Sequence, residues 1–186
     1  DGGTFWSLVD ESHDFSINLL LLLAQRLRAN NATVATNIRL QREYKRNAQV
    51  DALTGLYNRR WFDEALPRFV KRFSRGSQPL ALLMVDVDHF KAVNDAGGHQ
   101  AGDRLLRDLA NVMAKELRGG DDLFRVGGDE FAAVLVGISD GDQAFEVAER
   151  VRLAAHRTGS SVSIGIATSL GEDLDCDELF RRADAA

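Results

Sequence analysis

Two adjacent glycines and two adjacent carboxylates, Gly127-Gly128-Asp129-Glu130, stand between the apolar runs Leu123-Phe124-Arg125-Val126 and Phe131-Ala132-Ala133-Val134-Leu135-Val136. Both runs read as short strands, and the segment between them reads as a tight hairpin turn. This commits the chain to an antiparallel pair and puts Asp129 and Glu130 at a sheet edge. Glycine backbone leaves room for a phosphate to approach, and carboxylate oxygens are what a hard cation such as Mg²⁺ takes. Gly-Gly-Asp is equally an ordinary hairpin turn, so its role depends on what the rest of the chain brings to it.

A second apolar run, Leu80-Ala81-Leu82-Leu83-Met84-Val85, ends in Asp86-Val87-Asp88. That is the pattern of a strand buried on both faces with acids at its C-terminal end, an edge that ligands favour in open sheets with helices. Asp86 there suits a metal ligand or a helix cap. A loop follows from Asn94 to His99. A helix then runs from about Gln100 to Leu117, with Leu105, Leu106, Leu109, Val112, Met113 and Leu117 inward. Beyond the hairpin come an amphipathic helix (Phe145, Val147, Ala148, Val151, Leu153, Ala154), a strand from Ser161 to Ala167, and a last helix from near Asp175. This order predicts an α+β sandwich: a sheet with antiparallel strands and helices packed on it.

Upstream, residues from Asp14 to about Val50 lack Gly and Pro and are rich in Leu, Ala, Gln and Arg, which predicts one long helix. Ile17, Ala24, Asn31, Ile38 and Lys45 form one heptad column, and Leu20, Leu27, Val34, Gln41 and Ala48 the other. The seam suits a parallel two-helix coiled coil with Asn31 setting register, or a helix packed on an upstream domain. Gly55 breaks the helix and Asn58 caps the next one. The expected organisation is a helical stalk over 1–50 and a globular domain over 51–186. With no initiator Met and no leader, the chain reads as a fragment of a longer protein.

Lys and Arg number 23 and Asp and Glu 28, a formal charge of −5. That argues against a general nucleic-acid binder but leaves open a small phosphorylated ligand in a local pocket. Cys176 is the one cysteine, so no disulfide forms within the chain, which fits a reducing cytoplasm. The longest apolar run, Leu19 to Ala24, falls far short of the roughly 20 residues a membrane span needs. No membrane partner is therefore expected for this segment.

Four stretches carry a resemblance: Asp51-x-Leu-Thr-Gly-Leu-x-Asn-Arg-Arg60, Asp86-x-Asp-x-Phe-Lys-x-x-Asn-Asp95, Gly98-His-x-x-Gly-Asp103 and Gly127-Gly-Asp-Glu-Phe131. Their order and spacing resemble the GGDEF family of diguanylate cyclases over about Asp51 to Ala186. The resemblance implies a ferredoxin-like palm related to adenylyl cyclases, and condensation of two GTP into cyclic di-GMP with loss of two pyrophosphates. It further implies that Asp86, the Val87 carbonyl, Asp129 and Glu130 hold two Mg²⁺ or Mn²⁺ ions per site. Asp129 and Glu130 are its catalytic pair, with Asp129 helping to deprotonate the 3′-hydroxyl. Asn94 and Asp103 would read guanine, a chemistry that fits, since a carboxylate accepts from the N1–H and N2–H₂ edge adenine lacks. Lys91 and the backbone at His89-Phe90 would face the triphosphate, beside Gly127 and Gly128.

Arg118-Gly-Gly-Asp121 matches the family's product-inhibition motif, with Arg150 as a secondary contact; an Arg followed by Gly-Gly is also plain helix C-capping. His89 and His99 are expected to be structural or rim residues, because Mg²⁺ prefers oxygen. The family's last helix continues past Ala-Asp-x-Ala to a basic residue, whereas this sequence stops at Ala186, so the C-terminal helix reads as truncated. Catalysis by this fold is expected across a homodimer joined through the stalk. The rival readings are a catalytically silent receptor for GTP or cyclic di-GMP and a bare dimerisation module.

Overall fold

The computed structural model describes residues 16–28, 30, 31, 34, 48–75, 79–169 and 175–184. The chain divides into two compact units, Asp1–Ala48 and Gln49–Ala186. In the first, residues 16–28 are helical, as are 30, 31 and 34. Ile17, Leu20, Leu27 and Val34 of the heptad columns are exposed; Ile38, Gln41 and Lys45 lie outside the described residues. Ala48 and Gln49 turn and Val50 bridges Tyr57, so the helix expected to reach Val50 has ended before Ala48.

The second unit runs β1 (Tyr57–Asn58), α1 (Arg59–Arg75), β2 (Leu80–Val87), α2 (Phe90–Gly97), α3 (His99–Glu116), β3 (Asp122–Arg125), β4 (Glu130–Val136), α4 (Gly141–His156), β5 (Val162–Ser169) and α5 (Cys176–Asp184). Its five-stranded sheet has the order β1-β3-β4-β2-β5. β2 lies antiparallel to both β4 and β5, β3 is antiparallel to β4, and the short β1 runs parallel to β3. Without β1, the β2–β5 order is that of a ferredoxin-like split βαβ fold, as expected.

β2 is apolar from Leu80 to Val85, where both its faces are covered. Ala81, Leu83, Val85 and Val87 pack with Leu106, Leu109 and Met113 of α3 and Val147 and Val151 of α4. Leu80, Leu82 and Met84 pack on the other face with Phe62, Leu66 and Val70 of α1 and Leu179 and Ala183 of α5. The alternation follows from the period-two direction of strand side chains. Phe62 also sets its ring edge-on to Phe124 of β3, 5.3 Å between centroids, which ties α1 to the sheet.

The helix starts follow the capping residues. The Trp61 N–H donates to Asn58 Oδ1 at 3.0 Å, so Asn58 caps α1 as expected. Asp140 does the same for α4 through the Gln143 N–H at 2.9 Å. Two expectations need correction. Residues 94–97, read as a loop, belong to α2, which buries no residue and is therefore invisible to an apolar period. Phe145 and Leu153, read as inward, are 59% and 53% exposed. The buried stripe of α4 is instead Ala144, Val147, Ala148, Val151, Ala154 and Ala155, so small residues carry the packing. Among the described residues no helix is long and apolar enough to cross a membrane.

Leu83 has no exposed surface and sits mid-strand in β2. Leu83→Ala is expected to cost about 2–5 kcal/mol, through lost transfer energy and a cavity left between β2 and the α3/α4 layer. Urea unfolding of the two proteins checks it.

Candidate active site at the end of beta-2

Asp86 is the next-to-last residue of β2, and its Cα partners are Glu130 on β4 and Ser163 on β5. Cross-strand partners share a face, so the three side chains leave the sheet together on the side of Met84, the α1/α5 side. The end of α5 closes a cleft of about 290 Å³ there, lined by Met84, Asp86, Glu130, Ser163, Gly165 and Asp184 among others. The cleft exists because the sheet outruns its helical cover: Met84 is buried, and Asp86, two residues on, is exposed.

The hairpin turn is fastened to this edge. The Val87 N–H donates to the Asp129 carbonyl at 3.2 Å, and the N–H groups of Val126 and Gly127 both donate to the Glu130 carbonyl, at 3.0 and 3.2 Å. The tight hairpin between β3 and β4 forms as expected, but Gly127 and Gly128 are not among the positive-φ glycines, so it is not one of the two-residue turns that need φ > 0. Space explains Gly127 instead. A Cβ there would overlap the Glu130 carboxylate, with Glu130 Cδ at 2.9 Å, whereas a Cβ on Gly128 would meet nothing within 4 Å. Gly127 thus lets Glu130 lie back on the turn, and Gly128 borders open space.

The carboxylates crowd one another. Although its side chain is exposed, the partial desolvation Asp86 meets at the sheet edge raises its pKa above the ordinary value, and the charges of Asp129 and Asp88 raise it further. Asp88 itself is diverted, since Ser163 Oγ donates to its Oδ1 at 2.7 Å. Its pKa is lowered by hydrogen bonds from Ser161 and Ser163, which outweigh its small burial. The two acids of Asp86-Val87-Asp88 therefore part company, one facing the cleft and the other bracing β2 against β5. Among the described residues no three metal-ligating side chains are gathered around one point. The edge instead offers an open set of oxygen donors from β2, β4 and the turn that joins β3 to β4.

Past Asp88 the chain reverses through His89, whose φ of 57° is left-handed and uncommon for a residue with a side chain. α2 starts directly after it, with Lys91 exposed and Phe90 and Asn94 half-buried; Asp103 is half-buried early in α3. His89 and His99 are exposed.

Arg118 is exposed, and Asp121 is already engaged: it accepts the Arg118 N–H at 2.9 Å and the Val136 N–H at 3.2 Å. Arg150 is turned to α3, donating to the Glu116 carbonyl at 2.8 Å. The C-cap of α3 is Leu117 in an extended conformation and neither Gly119 nor Gly120 has positive φ, so the Gly-Gly capping weighed against a ligand site is not what forms, and the Arg118 guanidinium lies at the surface.

Arg125, which sequence reasoning left aside as a strand residue, joins the start of the unit to the turn. One of its N–H groups donates to Asp51 Oδ1 at 3.1 Å and another to the Gly128 carbonyl at 2.7 Å. Asp51 Oδ1 also takes the Thr54 N–H at 2.9 Å and hydroxyl at 2.6 Å. Burial would raise the Asp51 pKa, but the bonds from Thr54 and Arg125 outweigh it and hold it low. Among the described residues Arg125 Nε has no hydrogen-bond partner and is buried, a desolvation cost that its two other contacts must offset. The only signal in the sequence was a cation inside an otherwise apolar strand.

Residues 48–186 match the family model described as "Diguanylate cyclase, GGDEF domain". The chain belongs to the GGDEF family. It is 36% identical over 177 residues to the response regulator PleD of Caulobacter vibrioides, covering 83% of this chain and 38% of PleD. It is 33% identical over 147 residues to the diguanylate cyclase DgcS of Shewanella oneidensis, covering 76% and 49%. The chain thus spans less than half the length of these curated relatives. Among solved structures, the coiled coil and GGDEF domain of DgcB from Caulobacter crescentus, in complex with c-di-GMP, superimposes with a TM-score of 0.80 at 30% identity over 88% of this chain and 91% of that one. In this GGDEF domain the naming residues are the turn and strand start built above.

Arg125→Ala is expected to destabilise the domain by about 1–3 kcal/mol, the range for hydrogen bonds to a charged group in a half-buried site. Asp51→Asn should cost stability at neutral pH. Because the folded Asp51 pKa is depressed, that difference should close as pH falls through the folded carboxyl range, which thermal unfolding against pH checks. For Asp86 the sign reverses. Its folded pKa is raised, so its charged form disfavours the metal-free fold, and Asp86→Asn in chelator should raise Tm at pH 7. The gain should vanish below the ordinary carboxyl range.

Proposed function

We propose that this GGDEF chain is a diguanylate cyclase, condensing two GTP into cyclic di-GMP and two pyrophosphates across a homodimer. The observation that carries the reading is the pairing of Asp86 with Glu130 on one rung, with Asp129 on the turn pinned to Val87. The names of the family model and of DgcS, and the c-di-GMP in the DgcB structure, support it.

The donors at this edge fit a divalent ion by their chemistry: carboxylate oxygens at a place where desolvation, and after it the charges of Asp129 and Asp88, already raise the Asp86 pKa. Asp86, the Val87 carbonyl, Asp129 and Glu130 would hold Mg²⁺ or Mn²⁺. When bound, such ions neutralise charge on the attacking and leaving oxygens. Asn94 and Asp103 hold the guanine, Asp103 accepting from its N1–H and N2–H₂ edge, which makes GTP preferred over ATP. Lys91, the backbone at His89-Phe90 and the bare turn at Gly127-Gly128 receive the triphosphate. Asp129 takes the proton of the 3′-hydroxyl. That oxygen bonds to the α-phosphorus of the GTP on the partner domain, and the bond from that phosphorus to the bridging oxygen of pyrophosphate breaks. The reciprocal step closes the ring. Each domain holds one GTP, so two must face each other, and the exposed apolar residues of the N-terminal helix are suited to pairing them. Arg118, free to fork onto a guanine edge, with Asp121 and Arg150 beside it, would bind the product and restrain turnover.

Incubation of the full chain with GTP and Mg²⁺ should yield cyclic di-GMP, and Glu130→Gln should lower the rate by at least about 100-fold. Nucleotide bound with no dinucleotide formed would overturn the cyclase in favour of a silent receptor. No binding at all would favour a dimerisation module.

A further inference from the structure

Gly102 stands inside α3, where glycine is disfavoured against alanine by about 0.5–1 kcal/mol. Its backbone does not explain it, because Gly102 is not among the positive-φ glycines. It is buried, and its missing side chain is what matters: a Cβ there would overlap the Asn94 carboxamide oxygen, with Asn94 Cγ and Phe90 Cζ each at 3.0 Å. The Asn94 carboxamide therefore rests on the bare backbone of α3, one residue before Asp103. The main chain fixes the same relation, since the Asn94 carbonyl accepts from the Gly98 N–H at 2.8 Å, and the Gly98 carbonyl accepts from the Ala101 N–H at 2.9 Å. Gly98, with φ 72° and ψ 171°, is the bend between α2 and α3. One side of the seat is thus backbone, which cannot give way as a flexible side chain would.

We propose that Gly102 is a specificity-determining positioning residue: it seats Asn94 beside Asp103 and so sets the spacing of the two groups that read guanine. The inference rests on the cyclase reading of Asn94 and Asp103 and deepens it. A guanine edge offers O6 as acceptor and N1–H and N2–H₂ as donors, and Asn94 and Asp103 together match both kinds only at one separation. A methyl at position 102 displaces the carboxamide by on the order of an ångström, enough to take a hydrogen bond out of range. Adenine presents no such set of partners at that edge, so its binding does not depend on the seat.

The test uses the full chain with Mg²⁺ and two non-reacting probes, 3′-deoxy-GTP and 3′-deoxy-ATP, which lack the attacking hydroxyl. Calorimetry on Gly102→Ala should show affinity for the guanine probe reduced about tenfold or more and affinity for the adenine probe changed less than about twofold. In an Asn94→Ala background the same substitution should change neither affinity, because the carboxamide that the methyl would displace has gone. Asn94→Gln, which pushes the carboxamide off its seat without altering α3, should lose guanine preference to a similar degree, and it keeps the test open should Gly102→Ala not fold. Full guanine preference retained in Gly102→Ala or in Asn94→Gln would overturn the seat alone. Equal losses for both probes, or the same loss in the Asn94→Ala background, would reduce Gly102 to a packing residue and overturn it too. A wild-type chain that binds both probes equally would overturn the guanine-reading assignment and the seat with it.

Discussion

Everything else rests on β2 being covered on both faces up to Val85 while Asp86, on the α1/α5 face, outruns the cover. Alternate residues from Leu80 to Val85 are consumed by two helical layers, which fixes the strand against register slip, since a shift of one residue would exchange both faces. Asp86 then emerges at a defined height, beside Glu130 and Ser163. A carboxylate on a loop could relax away from its neighbours. On this strand it cannot, so desolvation at the edge raises its pKa and the charges of Asp129 and Asp88 raise it further. The charge repulsion at the edge is held in place by the apolar packing beneath it.

The turn and the α2–α3 bend are built on the same physical theme, in which bare glycine backbone is used for space. Gly127 makes room for Glu130, and Gly102 for Asn94. In both places a polar side chain gains a rigid seat, and a methyl would remove it. Arg125 adds a longer tie, joining Asp51 near the start of the unit to the Gly128 carbonyl. The turn is thereby anchored from β2 through Val87 and from the domain's first residues through Arg125.

Much of this was legible in the sequence, for reasons specific to each element. The acids closing the apolar run at Asp86 and opening the one at Glu130 mark the sheet edge because a doubly buried strand has nowhere else to put a charge. Asn58 announced the start of α1 by its capping chemistry. α2 was not legible, because a helix of eight residues that buries none of them has no apolar period to read. Phe145 and Leu153 misled for the opposite reason: hydropathy ranked them above the alanines that pack α4 against the sheet. The Gly127-Gly128 turn was identified by place but not by cause, since composition does not distinguish a glycine needed for positive φ from one needed for space. Arg125 depends on a contact with Asp51, far away in sequence, which no local pattern carries.

The central claim is that one edge, from Asp86 through the turn to Glu130, is the place where nucleotide and cation meet. A structure of the full chain with 3′-deoxy-GTP and Mg²⁺ tests it most directly. The cation is expected on Asp86 and Glu130, the triphosphate along Gly127-Gly128, and guanine between Asn94 and Asp103. A nucleotide held elsewhere on the domain, or a cation at this edge that touches neither Asp86 nor Glu130, would contradict it.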